Sequence, residues 1–189
     1  MTRVSYQELY DEFYRVLLKY GFTEERAALS AQLHANASRD GIASHGLNRF
    51  PKYIQDIEDG ITDVDAEPEK VASFGALERW DGHCGPGDIT AYATMNRAIE
   101  LSKQHGMGAV ALRNTNHWQR GGSYGWQAAE AGVIGICWTN TMPNLPPWGA
   151  KQERVGNNPL IIAVPKPDGH VVLDMAMSQL GGGLRDIIA

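Results

Sequence analysis

The segment SHGLNRF, residues 44–50, places a hydroxyl, an imidazole and a guanidinium close together at Ser44, His45 and Arg49. Histidine exchanges protons near neutral pH, and the guanidinium of arginine offers paired donors to a carboxylate. The pattern predicts a helix beginning at Ser44 or His45, which would place Arg49 one turn after His45 on the same side. These groups suit an α-keto or α-hydroxy acid, although His45 could instead serve as a structural cap.

A second polar cluster, NTNHWQRGGSYGW, covers residues 114–126. It contains Asn116, His117 and Arg120 and follows a predicted strand, where α/β sheets usually place their ligands. The alternative interpretation is a connecting loop, with Trp118 and Trp126 as packing anchors. Both interpretations remain open at the level of sequence.

Asp174 interrupts the apolar run VVLDMAM. A carboxylate within an apolar strand needs a partner, which could be a structural hydrogen bond or an imidazole that it orients. The sequence does not show which histidine it would meet. Dispersed histidines, together with Cys84 and Cys137 outside a CxxC spacing, predict no metal site, and GxGxxG and P-loop motifs are absent from the sequence.

The surrounding elements predict an α/β fold. A capping box at Ser5 and Glu8 starts a helix over residues 5–20, and a second helix begins after Thr23. The remaining predicted elements are a third helix to Gly60, a hairpin around Gly75, a helix over 88–104, a buried strand MGAVALRN, a helix SYGWQAAEAG, and strands VIGICWTN, PLIIAVP and HVVLDMAM. We therefore expect a helical region over residues 1–60 and an α/β sheet domain over residues 61–189.

Composition excludes several classes of partner. The 189 residues are 43% hydrophobic and 21% charged, with a net charge of −5. The sequence lacks a basic cluster, so nucleic acid is not an expected partner. It also lacks a long apolar run, and its amino terminus is an acidic amphipathic segment, so we expect no membrane partner and a cytoplasmic location. A small molecule is the expected partner.

Five motifs in order resemble the malate/L-lactate dehydrogenase family of non-Rossmann NAD(P)-dependent oxidoreductases. They are SHGLNRF, RNTNHWQRGGSYGWQAAEAG, GICWTNTMPNLPPWGAKQ, GNNPLIIAVP and VVLDMAMS. The resemblance implies hydride transfer between NADH or NADPH and a 2-keto acid, with NADH preferred. Within this family, the resemblance implies reduction of 2,3-diketo-L-gulonate to 3-dehydro-L-gulonate, and a malate- or lactate-type 2-hydroxy acid is the alternative substrate.

The resemblance also implies roles for individual residues. His45 would be the proton donor, with Ser44, Arg49 and His117 around the substrate and Asp174 near the catalytic histidine. The nicotinamide cofactor would contact a strand comprising His170, Val171, Val172, Leu173, Asp174, Met175 and Ala176. Family members form homodimers, so a homodimer is implied too.

Likeness to the family ends after MAMSQ, where this chain reads LGGGLRDIIA. We therefore expect a chain truncated at its carboxyl end, with apolar side chains exposed on its last strands, among them Leu160, Ile162, Val171 and Leu173. Such a chain would be weakly active or inactive. The alternatives are an inactive fragment acting as an interaction module, and a metal-dependent hydrolase with His45, His117 and Asp174 as ligands.

Overall fold

A computed structural model describes residues 3–178. The chain divides into two compact units, Met1–Arg120 and Gly121–Ala189. The first contains helices α1 (Tyr6–Lys19), α2 (Glu24–Arg39), α3 (Phe50–Glu58) and α4 (Gly87–His105), a 3-10 turn (Ala43–His45), and strands β1 (Glu69–Phe74), β2 (Leu77–Gly85) and β3 (Ala109–Thr115). The second contains helix α5 (Gly122–Glu130) and strands β4 (Gly135–Trp138), β5 (Leu160–Val164) and β6 (Val171–Met175). The predicted α/β class is confirmed, whereas the predicted domain boundary at residue 60 stays a prediction.

Helices α1 and α2 begin where their capping residues predict. Ser5 Oγ accepts a hydrogen bond from Glu8 N, and the Glu8 carboxylate accepts one from Ser5 N. Thr23 Oγ1 accepts from Arg26 N at the start of α2. Ala27, Ala31 and Ala35 of α2 are fully buried against side chains of α1 and α3. The resulting core consists of Phe13, Leu17, Phe22, Ala27, Ala31, Ala35, Phe50, Tyr53 and Ile89.

The predicted start of the third helix is wrong. Residues Ala43–His45 form a separate 3-10 turn, and α3 begins only at Phe50, with Arg49 as its N-cap. Leu47, which lies between the two elements, is 48% exposed. The chain breaks between these elements because it lies against α2 at Gly46, so His45 is not at the amino terminus of α3.

The first unit contains a three-stranded sheet in the order β1-β2-β3. Strands β1 and β2 form the predicted antiparallel hairpin around Gly75, and β3 runs parallel to β2. Helix α4 provides the crossover between β2 and β3. Strand β3 is less buried than predicted, because its side chains alternate between half-buried and exposed positions.

The second unit contains an antiparallel sheet in the order β4-β5-β6. The side chains of Cys137, Ile161 and Ala163 are buried, and the alternate positions form an apolar outer face. This outer face consists of Ile136, Trp138, Leu160, Ile162, Val164, Val171, Leu173 and Met175. Val171 is 60% and Leu173 43% exposed, as predicted, whereas Leu160 and Ile162 are half-buried because their strand is flanked on both sides.

The predicted departure from the family pattern after MAMSQ lies outside the described residues. Within residues 3–178, none of the helices is long and apolar enough to cross a membrane.

Candidate active site

His45 and His117 lie opposite each other in the first unit. Their ring centroids are 5.8 Å apart, with ring planes tilted by 32°. His45 ends the 3-10 turn and is half-buried, and its Nδ1 shares a hydrogen bond of 2.9 Å with the hydroxyl of Ser44. The fold thus brings together two histidines from distant parts of the sequence.

His117 lies just beyond the carboxyl end of β3, in a segment that fixes its imidazole. Its Nδ1 accepts a hydrogen bond of 3.0 Å from Gln119 N, and the Gln119 side chain donates to the His117 carbonyl oxygen at 3.2 Å. Because Nδ1 is an acceptor, the proton of the neutral ring is on Nε2. Gln119 is only 3% exposed and adopts a left-handed backbone with a φ of 61°. Gln119 was not predicted as a site residue, because the motif alone does not indicate that the loop folds back on itself.

The environment holds His117 neutral at physiological pH. Desolvation lowers its pKa first, followed by the positive charge of Arg49 and the proximity of His45, to about 3. The side chain remains exposed, so water moderates the desolvation, but each cause acts in the same direction. His117 is therefore suited to donate a hydrogen bond through Nε2 rather than to carry a charge.

Arg49 brings a positive charge close enough to act on His117. Its side chain is half-buried, its Nε is buried without a hydrogen-bond partner, and its guanidinium forms no ion pair with any residue in the described range 3–178. Removing a cation from water without a partner is costly, so such a position favours binding of an anion. A carboxylate would fit the donor geometry of the guanidinium.

Two other polar candidates, Asn116 and Arg120, are engaged by the protein. The Asn116 side-chain amide donates to the carbonyl oxygens of Ile61, Cys84 and Gly85, at 3.1, 2.6 and 3.2 Å. Arg120 forms an ion pair of 2.6 Å with Asp40, the C-cap of α2. These contacts give both residues structural roles in holding the segment that carries His117.

A buried polar network that the sequence did not predict joins α2, α3 and α4. Ser30 donates to Asp88 Oδ2 at 2.6 Å, and Tyr53 donates to Asp88 Oδ1 at 3.0 Å. His34 donates from Nδ1 to the Ser30 carbonyl oxygen and is fully buried. Burial lowers its pKa more than the nearby Asp88 carboxylate raises it, so His34 is neutral. The sequence signal was a histidine within the otherwise small-residue face of α2.

Asp174 belongs to the second unit, on β6. It is exposed rather than buried, and its Oδ2 accepts a hydrogen bond of 3.0 Å from Gly122 N at the start of α5. Any side chain at residue 122 would collide with this carboxylate, since a Cβ there would lie 2.4 Å from Oδ2. Gly122 N is therefore the hydrogen-bond partner that the structural interpretation of Asp174 requires. The predicted proximity of Asp174 to the catalytic histidine stays a prediction.

The segment His170–Ala176, predicted to contact the cofactor, includes the edge strand β6. In the described sheet β6 pairs only with β5, so the backbone N–H and C=O groups along its other edge have no partner strand there. Val171, Leu173 and Met175 are exposed at 60, 43 and 40%. Exposed apolar side chains and edge backbone groups suit the flat ring and the carboxamide of a nicotinamide, so these residues fit the group. His170 is held at the turn, where its Nδ1 accepts from Lys166 N.

The described residues contain no cluster of three His, Cys, Asp or Glu side chains arranged to hold a metal ion. The burial of Cys137 raises the pKa of its thiol to about 12, with a further contribution from the Asp174 charge, so this cysteine stays protonated.

Comparisons with known proteins agree with the motifs. The malate/L-lactate dehydrogenase family model matches residues 4–185. The chain is 50% identical over 185 residues to the 2,3-diketo-L-gulonate reductase of Salmonella heidelberg (strain SL476), covering 98% of this chain and 55% of the relative.

Solved structures give the same result. The malate dehydrogenase of Pyrococcus horikoshii OT3 superposes with a TM-score of 0.94 at 34% identity, over 97% of this chain and 53% of that chain. The sulfolactate dehydrogenase of Methanocaldococcus jannaschii superposes with a TM-score of 0.92 at 32% identity, over 98% of this chain and 54% of that chain. The chain thus spans about half the length of the relatives it matches, and it belongs to the malate/L-lactate dehydrogenase family.

Proposed function

We propose that the chain carries the acid and carboxylate-binding groups of an NAD(P)H-dependent oxidoreductase that reduces a 2-keto acid. The observation that carries this proposal is the facing pair His45 and His117 beside Arg49, whose guanidinium has no anionic partner in the described structure. The proposed substrate is 2,3-diketo-L-gulonate, because the reductase of that name is 50% identical to this chain. NADH is the proposed cofactor on the same ground.

Each residue of the site has a proposed role that follows from the chemistry of its side chain. Arg49 binds the substrate carboxylate through its paired N–H donors. His45 donates a proton to the oxygen of the adjacent carbonyl, which becomes the hydroxyl of the product. Neutral His117 donates a hydrogen bond from Nε2 to a substrate oxygen, and Ser44 orients the His45 ring. The cofactor, when bound, supplies the hydride that reduces the carbonyl carbon.

The remaining predicted residues take roles from the family resemblance. The segment His170–Ala176 contacts the nicotinamide, and Asp174 supports the catalytic histidine in addition to its bond to Gly122. Assembly as a homodimer belongs to the same proposal. A malate- or lactate-type 2-hydroxy acid is the second candidate substrate, supported by the names of the superposed dehydrogenases.

A non-catalytic interaction module is the alternative function. One observation favours it: one face of the second sheet exposes apolar side chains. Co-purification with a longer homologous chain, together with absence of substrate binding, would support this alternative.

The test separates substrate binding from turnover. Without a nicotinamide cofactor the 2-keto acid cannot be reduced. Binding of 2,3-diketo-L-gulonate to the purified chain can therefore be measured by calorimetry in the absence of cofactor. Turnover is then followed as loss of NADH absorbance. His45→Ala should retain binding but lower kcat by about 10²- to 10⁴-fold, the usual contribution of a general acid.

His105→Ala is the matched control, because His105 is an exposed histidine at the end of α4. It should change neither binding nor kcat. If the chain binds the 2-keto acid but does not reduce it, the proposed roles of His45 as proton donor and Arg49 as carboxylate ligand would stand. Hydride transfer would then require protein groups that this chain does not supply. Absence of binding, or turnover that survives His45→Ala, would overturn the proposal.

A further inference from the structure

The segment carrying His45 lies directly against the last turn of α2 at Gly46. A Cβ added to Gly46 would lie 2.2 Å from Ser38 Oγ, and 2.8 Å from both the His34 carbonyl oxygen and Ser38 N. Two of these three obstacles are backbone atoms inside a helix, which cannot move aside without breaking helical hydrogen bonds. Glycine is therefore required at this position for contact with α2.

The Ser38 hydroxyl bonds this segment to the helix. It donates to the His34 carbonyl oxygen at 3.0 Å and accepts from Leu47 N at 2.9 Å. The hydroxyl thus joins α2 to the backbone just after Gly46. The Gly46 carbonyl oxygen in turn accepts from Arg49 N and Phe50 N, where α3 begins. The contact between Gly46 and α2 therefore determines the positions of two neighbouring residues. These are His45, which precedes Gly46, and Arg49, whose backbone N–H bonds to the Gly46 carbonyl oxygen.

The same end of α2 also holds the segment carrying His117. Asp40, the C-cap of α2, forms its ion pair with Arg120, whose side chain is only 15% exposed. The guanidiniums of Arg39 and Arg120 hold the pKa of Asp40 below its usual range, so this pair is charged at neutral pH. Ser38 and Asp40 therefore bond to the two segments whose histidines face each other at 5.8 Å.

We infer that Ser38 and Asp40 are positioning residues that set the spacing of His45 and His117, through a backbone bond to Leu47 and an ion pair to Arg120. This inference rests on the proposed function for its catalytic consequence, but not for its geometry. Ser38 acts on His45 and Arg49, and Asp40 acts on His117. Neither touches the substrate.

The test uses Ser38→Ala, with Ser38→Thr as the variant that restores the hydroxyl. Ser102→Ala is the matched control, because the Ser102 hydroxyl also donates to a carbonyl within its own helix but, among residues 3–178, bonds to no other segment. A displacement of about 1 Å at a reacting group costs up to about 100-fold in rate. Ser38→Ala should accordingly lower kcat by about 10- to 100-fold with a smaller change in KM, Ser38→Thr should recover part of the loss, and Ser102→Ala should leave kcat unchanged.

A second measurement keeps the inference separate from the proposed function. The pKa of His117 is lowered partly by Arg49 and His45, so moving their segment away should raise the pH at which the His117 ring titrates by NMR. Ser38→Ala should shift this titration upward, and Asp40→Asn should change it, even in a chain that shows no turnover. If both variants fold and leave the His117 titration and kcat unchanged, the inference is wrong. If the titration shifts while neither the parent nor the variants bind the 2-keto acid, the positioning role stands and only the proposed function fails.

Discussion

The chemistry of the candidate site depends on the protonation states of two histidines of the first unit, His34 and His117. His34 is neutral because it is buried, and His117 is neutral because desolvation and the charge of Arg49 oppose a second positive charge. The tautomers of both rings follow from their Nδ1 partners, a carbonyl oxygen for His34 and a backbone amide for His117. Arg49 is thus the principal positive charge available to a substrate carboxylate there.

Replacement of Arg49 tests its role as the carboxylate anchor. Arg49→Ala removes charge-assisted hydrogen bonds worth about 1.5–3 kcal/mol in total, so KM for the 2-keto acid should rise by about 10- to 100-fold. Arg49→Lys keeps the charge but loses the paired donors, and should give an intermediate KM. Steady-state kinetics measure both effects. An unchanged KM in Arg49→Ala would place the carboxylate elsewhere.

The lowered pKa of His34 predicts a pH dependence of stability. The unfolded chain protonates this histidine below about pH 6.5, whereas the folded protein resists doing so. The free energy of unfolding should therefore be greatest above that pH and should fall as the pH is lowered from about 6.5 towards 5, before the carboxylates begin to titrate. Urea unfolding at a series of pH values measures this dependence.

His34→Gln removes the titrating group, so its stability should vary less with pH in this window, although its stability at neutral pH should be lower. His105→Gln, the same change at an exposed position, is the matched control for the effect of the substitution itself on stability. His117→Gln should flatten the curve further, because the pKa of His117 is also lowered. A His34→Gln curve parallel to that of the parent would show that His34 does not titrate as described.

At the scale of elements, the contacts that place functional groups are made at helix ends. Helix α2 meets the His45 segment through Ser38 and the His117 segment through Asp40. Helix α5 begins at Gly122, whose amide bonds to Asp174. Terminal turns carry backbone groups without helical partners, so they are natural attachment points for neighbouring segments.

Asp174 variants distinguish its structural role from a catalytic one. Asp174→Asn keeps a carbonyl oxygen for Gly122 N, and should keep the stability of the parent within a few tenths of a kcal/mol. Asp174→Ala leaves that amide without its partner and should lower the free energy of unfolding by about 0.5–1.5 kcal/mol. Chemical unfolding measures both changes.

Measurement of kcat for Asp174→Asn and the parent tests the catalytic role of Asp174. If Asp174 also supports a catalytic histidine, Asp174→Asn should lose kcat while remaining stable, because the negative charge is gone. Equal activity of Asp174→Asn and the parent would restrict Asp174 to its bond with Gly122.

At the scale of the whole molecule, the two units differ in how fully their apolar side chains are covered. The first has a helical core whose central residues are almost completely buried. In the second, the outer face of the sheet exposes residues of all three strands, including Ile136 at 55% and Trp138 at 70%. Contiguous apolar surface on a sheet promotes association between chains.

A charge placed on this outer face should reduce such association. Leu173→Lys introduces a cation in the row that also contains Ile136 and Ile162, and should lower the concentration-dependent light scattering of the purified chain. Met107→Lys is the control, since Met107 is 64% exposed but lies outside the face. Circular dichroism checks that both variants fold. Equal scattering by the parent and Leu173→Lys would show that the face does not mediate association.

Local signals were enough to predict most elements. Capping residues at Ser5 and Thr23, the turn at Gly75 and the alternating apolar runs of the last strands act over a few residues, so their positions can be read directly from the sequence. The motifs likewise identified the family and the polar residues around His45 and His117. The break between His45 and α3 was missed because this segment packs against α2, the preceding helix, and the loop's own residue propensities do not show that contact.

The sequence by itself determined the α/β class, the family and the types of side chain available for chemistry, because these depend on local patterns and motif order. Only the tertiary structure decided which of those side chains meet. It placed His45 opposite His117, engaged Asn116 and Arg120 in the protein itself, and gave Asp174 a partner in Gly122. The physical reason is that such contacts join residues far apart in the chain, and they form only when helices and strands pack at specific distances.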